Sequence, residues 1–170
     1  MSESPEGEGW IFQIAPVLGE SFGHYLGRFR RANCLSRVGL AEWMTTGVRI
    51  VRGWEMPSCG QPLSAAQLAK ISTLLGLSEA QLVAMLPAER SKTQVATRLC
   101  PKCYVHTPIH QQDWQRAELT LCASHEQPFL TACSGCSTVF RVPALWENGC
   151  CERCWLPFGE MDHHRCNQAD

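Results

Sequence analysis

Four pairs of potential metal ligands follow one another in the second half of the chain. Two residues separate the members of each pair, which are Cys100 and Cys103, Cys122 and His125, Cys133 and Cys136, and Cys151 and Cys154. This spacing places two ligands on one turn of backbone, so two such pairs complete a tetrahedral site. The sequence therefore predicts two bound zinc ions per chain.

The intervals between the pairs indicate how they combine. Eighteen residues separate Cys103 from Cys122, and fourteen separate Cys136 from Cys151, both close to zinc-ribbon spacing. We expect the pairs to combine in sequence order, giving one site of three cysteines and a histidine and a second of four cysteines; interleaved pairing is the alternative. Four protein ligands leave no position for an activated water, so both metals are expected to be structural.

Other potential ligands lie close to these pairs. His106 and His110 form an H-x3-H pattern, but His106 follows Cys103 too closely to turn round the same metal, so we expect both histidines at the surface or beside the ligands. Cys150 precedes Cys151 and is expected to be a spare thiol. The sequence His163–Cys166 is expected to belong to a frayed end.

The distribution of cysteines separates two regions of the chain. Nine of the eleven cysteines lie between Cys100 and Cys166. The N-terminal residues do not resemble a secretion signal, and no stretch is apolar enough to span a membrane. We therefore expect a cytoplasmic protein with reduced thiols, in which paired cysteines bind metal rather than form disulfides.

Helical patterns dominate the region before the metal ligands. Apolar residues between Glu20 and Asn33 follow helical spacing, while His24, Arg28 and Arg31 fall on the opposite side of that helix. Ser64 with Gln67 and Ser78 with Gln81 form two capping boxes fourteen residues apart, with a glycine between them at Gly76. These signals predict a helix-turn-helix.

The predicted fold is α+β and made of small modules. We expect a flexible arm and extended segment at 1–19, a helix-turn-helix domain at 20–90, zinc-ribbon-like modules at 98–130 and 131–160, and a tail at 161–170. The segment from Trp10 to Gly19 is expected to lie on the following helices, or else on a partner. The residues WQRAELTLC and STVFRVPALWENG alternate enough for short strands, and PALWEN suits a helical turn.

Basic residues cluster in the helical region although the whole chain carries a formal charge of only −1. Six arginines and three glutamates lie between Glu20 and Met56. A solvated helix face is one interpretation. Contact between Arg28, Arg30, Arg31 and nucleic-acid phosphate is the other, because guanidinium groups bind phosphate bidentately.

Signals for catalysis are missing from the sequence. It contains no phosphate-binding loop, no dinucleotide-binding glycine motif and no nucleophile elbow. We therefore expect no enzymatic activity. The remaining classes are an adaptor and a sequence-specific DNA-binding transcriptional regulator, although the second helix of the predicted motif, SEAQLVAML, has no Arg, Lys or Asn to contact bases.

Several sequence blocks together resemble one family. The blocks GESFGHYLGRFRRAN, LCPKCYVHTPIHQQDWQ, CASH, ACSGCSTVFRVPALWENGCCERC and PFGEM are similar to TniQ, the target-selection protein of transposons, in the short form of type V-K CRISPR-associated systems. The resemblance extends from Trp10 to Met161. It implies an N-terminal helix-turn-helix domain, two zinc modules and no catalytic function.

The resemblance also implies partners. A short TniQ links an RNA-guided CRISPR effector, its guide RNA and the target DNA near the R-loop to the filament of an AAA+ ATPase, TnsC. We expect a bacterial protein that is monomeric alone and caps one end of that filament. Candidate partner contacts are Trp10, Phe12, Trp114 and Trp146, because aromatic residues dominate interface hot spots, although each also suits a local core.

Overall fold

The computed structural model describes residues 12–55, 63–87 and 96–162. These residues are mostly helical, with extended structure limited to isolated bridges. The α-helices are α1 (Phe22–Ala32), α2 (Arg37–Trp43), α3 (Val48–Glu55), α4 (Ala65–Leu75), α5 (Glu79–Met85) and α6 (Pro101–His106). Short 3₁₀ turns follow at Gln112–Gln115, Pro143–Leu145 and Phe158–Glu160. No helix within the described ranges is long and apolar enough to cross a bilayer.

Helices α1 to α5 share one apolar core, which we call the helical unit. The stripe predicted on α1 is confirmed, because Phe22, Tyr25, Leu26 and Phe29 are all buried in this core. Ser21 caps the helix by accepting a hydrogen bond from the backbone N–H of His24, and Asn33 ends it. The segment before the helix lies along it, since Ile14 packs on the core and its carbonyl accepts from the Tyr25 hydroxyl.

Both predicted capping boxes are present. The side chains of Ser64 and Ser78 accept hydrogen bonds from the backbone N–H groups of Gln67 and Gln81. In return, the side-chain oxygens of Gln67 and Gln81 accept from the backbone N–H groups of Ser64 and Ser78. Gly76 ends α4 with φ of +65°, a left-handed conformation that favours glycine. Two helices joined by this short turn are therefore present, and α5 adds Leu82 and Met85 to the core.

Helices α2 and α3 were not predicted. Ser36 caps α2 by accepting from the N–H of Gly39, and the helix contributes Leu40 and Ala41 to the core. These helices are only seven and eight residues long, so each shows too few turns for a periodic pattern to stand out in the sequence. Tertiary packing stabilises them instead, since α2 packs against α3 and α3 packs against α1.

Residues 96–162 form a second unit, which we call the metal unit, around its own core. The core combines cysteines with Leu99, Tyr104, Trp114, Phe140, Trp146 and Phe158, among others. The expected short strands are reduced to single bridges, such as Leu121 with Pro128 and Ala132 with Val139. Tight turns at the ligand pairs reverse the chain before longer strands can pair. The helical turn expected near PALWEN is present at Pro143–Leu145.

The two units contact each other through α1, which packs against the 3₁₀ turn Pro143–Leu145. A Cβ built on Gly27 would lie 2.2 Å from the carbonyl oxygen of Ala144, so only glycine permits this approach. The side of α1 expected to face solvent therefore faces the metal unit: His24 is buried and Arg31 is half-buried.

Candidate metal centres and the junction beside them

The first ligand cluster consists of Cys100, Cys103, Cys122 and His125, with all four ligand atoms within 4.8 Å of one another. The Cys103 and Cys122 sulfur atoms are 3.4 Å apart, and His125 Nδ1 lies 3.3 Å from the sulfur of Cys103. The distances from His125 Nδ1 to the sulfurs of Cys100 and Cys122 are both 3.6 Å. The sequence-order pairing predicted for this site is therefore the arrangement present.

The second cluster consists of Cys133, Cys136, Cys151 and Cys154, again within 4.8 Å of one another. Sulfur atoms lie 3.5 Å apart between Cys133 and Cys154 and between Cys136 and Cys151. A disulfide would bring two sulfur atoms to about 2.05 Å, so these are free thiols. Cys150 is not a member of the cluster, as expected.

Both clusters have the dimensions of a tetrahedral zinc site. Zn–S bonds of about 2.3 Å and Zn–N bonds of about 2.0 Å place sulfur atoms about 3.8 Å apart, and sulfur and nitrogen about 3.5 Å apart. Thiolate and imidazole are also the donors that zinc prefers. The residues present therefore fit a metal of this kind, and neither cluster leaves an open coordination position once four ligands are used.

The ligand pairs are presented by two kinds of local structure. Cys100 precedes α6 and Cys103 lies in its first turn, so this pair is held by a helix with Pro101 at its start. The other three pairs lie on tight turns, and the residues that follow them, Glu126, Ser137 and Trp155, have φ between +50° and +61°. A tight turn is expected for every ligand pair. Three pairs lie on one, and the first pair lies at the start of a helix instead.

Burial and hydrogen bonding shift the pKa values of two thiols in the second cluster in opposite directions. Removal from water raises the pKa of Cys133 to about 12, because desolvation disfavours the thiolate. The hydrogen bond with the Thr138 hydroxyl lowers the pKa of Cys136 to about 6. A cation bound by the sulfur atoms of Cys133 and Cys136 would stabilise the buried thiolate of Cys133. Metal binding and thiol ionisation are linked in this way.

The two additional histidines occupy different environments. His106 is exposed, and its ring stacks on the ligand His125 with centroids 6.2 Å apart, which agrees with the expectation of a histidine beside a ligand. His110 is buried and contacts Trp114 and Trp146, so the expectation of a surface position is wrong. Its Nδ1 lies 2.8 Å from the hydroxyl of Ser21, and its carbonyl accepts from the Ser21 N–H. His110 therefore joins the metal unit to the start of α1.

A buried carboxylate organises the same junction. Glu20 is fully buried and accepts from His24 Nδ1 at 2.6 Å and from Arg28 Nε and Nη2, both at 2.8 Å. Desolvation alone would raise the pKa of Glu20, but the hydrogen bonds from His24, Arg28 and the Val17 N–H lower it. Glu20 is therefore held as a carboxylate beside the metal unit.

The three arginines predicted to contact nucleic acid do not form one exposed face. Arg28 binds Glu20, and Arg30 binds the buried Glu55 with its Nε 2.7 Å from the carboxylate. Arg31 donates to the carbonyls of Ala144 at 2.9 Å and Trp146 at 3.1 Å. Each guanidinium therefore has a different intramolecular partner, and contact of these arginines with nucleic-acid phosphate stays a prediction.

The aromatic residues predicted as partner contacts divide into three groups. Trp114 and Trp146 are 2% and 5% exposed, so the expectation that they present their rings to a partner is wrong: they belong to the core of the metal unit. Phe12 is 56% exposed and remains a candidate. Trp10 lies outside the described residues, as do the predicted frayed end at His163–Cys166 and the predicted domain boundary near residue 90.

Comparison with known proteins finds no family model that matches the chain and no curated protein that matches it.

Proposed function

We propose that both clusters hold zinc and that the metals have a structural role. The donor sets, their distances and the absence of a further coordination position support this assignment. The core beside the clusters is small, and metal binding commonly supplies the stability that such short segments lack. We further propose that the two modules are of the zinc-ribbon type and that the helical unit is a helix-turn-helix domain.

On this basis we propose that the protein is a non-enzymatic adaptor of the TniQ type in RNA-guided DNA transposition. It would connect an RNA-guided CRISPR effector at the target R-loop to the filament of the AAA+ ATPase TnsC. The proposal begins from the resemblance of the sequence blocks described above. It concerns a bacterial cytoplasmic protein that is monomeric before assembly.

The observation that carries the proposal is the location of the most distinctive of those blocks, Gly19 to Asn33. Its members form the junction between the two units: Glu20 and Arg28 pair, Gly27 permits close contact and Arg31 reaches the metal unit. The residues on which the resemblance depends thus fix two modules against each other. A rigid two-unit body suits a protein that presents two binding surfaces at a set distance.

The regulator hypothesis receives less support from the described residues. Exposed positions on α5 carry Glu79, Gln81 and Val83, and α5 has no cationic side chain. A recognition helix normally offers Arg, Lys, Asn or Gln to base edges, and Gln81 is already engaged by the capping box.

The test is reconstitution with purified TnsC from the same type of transposon, ATP and DNA. We expect the protein to hydrolyse no ATP by itself and to occupy one end of the TnsC filament with fixed stoichiometry in electron micrographs. Phe12→Ala should weaken end binding about tenfold if this exposed ring is a hot spot, while Leu18→Ala, which truncates an almost fully exposed side chain, serves as the matched control. Binding along the whole filament, or none, would contradict the adaptor proposal; tight binding to one DNA sequence would favour the regulator.

A further inference from the structure

An open cleft of about 310 Å³ lies where the two units meet. Its walls come from α1 of the helical unit and from the metal unit, and the lining residues are His24, Arg28, Arg31, Tyr104, Pro108, Trp146 and Glu147. Small-molecule sites commonly occur at such boundaries, and this volume is at the lower end of their range. Five of these side chains are polar, which is unusual for a void between two apolar cores.

Two of the lining side chains are buried, and each has one polar atom without a hydrogen-bond partner among the described residues. Tyr104 is 8% exposed, and its hydroxyl has no hydrogen-bond partner among residues 12–55, 63–87 and 96–162. His24 is 3% exposed; its Nδ1 is bound to Glu20, which leaves Nε2 without a partner within the same ranges. Buried polar atoms are nearly always hydrogen-bonded, so the unpaired Tyr104 hydroxyl in this cleft indicates a ligand that accepts its hydrogen bond.

Two cationic groups are fixed in the same cleft. Arg28 is held by both oxygens of Glu20 and by the Ala15 carbonyl, and Arg31 is held by the carbonyls of Ala144 and Trp146. A guanidinium has five N–H donors, so each retains donors beyond these bonds. The partners of Arg31 are neutral carbonyls, which leave its positive charge available to an anion.

The geometry points to a binding site for a phosphate group in this cleft, with Arg28, Arg31 and the Tyr104 hydroxyl as donors. Arginine matches the tetrahedral arrangement of phosphate oxygens with paired N–H groups, and a phenol adds one directed bond. The Tyr104 ring is fixed by edge contacts with Trp146 and Phe158, with centroids 6.0 Å and 5.3 Å away. The donors are therefore positioned before the ligand enters, which lowers the entropic cost of binding.

One residue of the cleft opposes an anion. Glu147 is exposed at the rim and is the carboxylate among the lining residues. Its charge should weaken phosphate binding without abolishing it, because the group is solvated and screened. Removing the charge of Glu147 should therefore improve phosphate binding, whereas removing the Tyr104 hydroxyl should impair it. The site does not depend on the adaptor function, and it goes beyond the earlier arginine prediction because Arg30 does not line it.

The experiment measures binding of inorganic phosphate, pyrophosphate and a short single-stranded DNA without terminal phosphates to the full zinc-loaded chain. Calorimetry gives affinities, and ³¹P line broadening identifies the bound phosphorus. Tyr104→Phe keeps the ring but removes the hydroxyl, and it should weaken binding about tenfold. Glu147→Gln should tighten binding about threefold, whereas Glu42→Gln, an exposed carboxylate on α2, should change nothing.

The two sources of phosphate give different results. Binding of inorganic phosphate or pyrophosphate that responds to both variants supports a site for a free phosphate compound. Binding of the oligonucleotide alone, with the same responses, supports a backbone phosphate of nucleic acid. The proposal is overturned if none of the three probes binds, or if binding is the same in Tyr104→Phe, Glu147→Gln and wild type. Zinc content and melting temperature of each variant separate loss of the site from loss of the fold.

Discussion

Gly27 and Ala144 belong to different units, yet a Cβ on Gly27 would lie 2.2 Å from the Ala144 carbonyl oxygen and 2.7 Å from its carbonyl carbon. These atoms are backbone, so they cannot move aside as a flexible side chain would. The same carbonyl oxygen accepts a hydrogen bond from Arg31, one turn further along α1. This close approach therefore holds α1 directly against the metal unit, in addition to the bonds between Ser21 and His110.

Gly27→Ala should separate the two units or destabilise the whole chain. We expect a loss of about 3 kcal/mol in the free energy of unfolding, since overpacking of a backbone contact forces the helix away. Gly39→Ala is the matched control, because its Cβ would meet only side-chain atoms, of Ser36 at 3.4 Å and Leu35 at 3.8 Å, and alanine favours helix. Denaturant unfolding measures the free energy of unfolding of both variants. A Gly27→Ala protein as stable as the Gly39→Ala protein would contradict the close packing of the junction.

The metal content of cysteine variants tests the ligand assignment. Wild type should contain two zinc ions per chain, Cys154→Ser should retain one tightly bound ion, and Cys150→Ser should retain two, because Cys150 is not a member of the cluster. Mass spectrometry under native conditions counts the ions. Equal zinc loss in the Cys150 and Cys154 variants would show that the second cluster uses a different set of ligands.

Removing the metals tests whether the junction depends on them. Trp146 belongs to the core of the metal unit that also contains Cys133 and Cys151, and its carbonyl holds Arg31. Chelation should therefore loosen the contact with α1 as well as the clusters themselves. Hydrogen exchange should increase in α1 near Arg31 and remain unchanged in α4 and α5. Unchanged protection throughout α1 would show that the helical unit is held independently of the metals.

The ligand clusters and the capped helices are the features that local sequence determines. Zinc geometry restricts which cysteines pair, and a capping box such as Ser64 with Gln67 specifies a helix start within four residues. Short-range chemistry of this kind is visible without knowledge of the tertiary structure. The residues predicted for each site accordingly lie together as two clusters that could hold a metal ion.

The junction could not be predicted, because it joins residues far apart in the sequence. Arg31 and Ala144 are 113 positions apart, and Ser21 and His110 are 89 apart. The spacing of Arg28, Arg30 and Arg31 within their own helix therefore carries no sign of the partners that they have in other parts of the chain. The residues around Trp114 and Trp146 likewise give no local sign that both rings belong to the apolar core of the metal unit. A cavity at the boundary of two units has no local signal at all.

Glu20 tests the importance of the buried ion pair at the junction. Glu20→Gln removes the charge that Arg28 and His24 contact, and breaking one partner of a buried pair costs about 3 kcal/mol or more. Glu152→Gln is the matched control, because its pair with Arg141 is about half exposed and such pairs contribute little. Thermal unfolding compares the stability of the Glu20→Gln and Glu152→Gln variants. A similar effect of both substitutions would mean that the Glu20 carboxylate is not a main source of junction stability.

Protonation of His110 should make the junction sensitive to mild acid. Burial lowers the pKa of His110 well below its usual value of 6.5, with smaller contributions from the charges of His24 and Arg98. Above about pH 6.5 the imidazole is neutral in both folded and unfolded chains, so His110 adds no pH dependence. As pH falls below that value, the unfolded chain binds a proton that the folded chain excludes.

The free energy of unfolding should therefore fall by about 1.4 kcal/mol for each pH unit below 6.5, until the folded pKa of His110 is reached. His110→Asn keeps an acceptor for the Ser21 hydroxyl but cannot titrate, so it should be less stable at pH 8 and lose less stability on acidification. Urea unfolding at pH 8, 7, 6 and 5.5, about the range in which histidine titrates, provides both slopes, with zinc content measured in parallel. Parallel slopes for the two proteins would show that the buried imidazole of His110 does not control acid sensitivity.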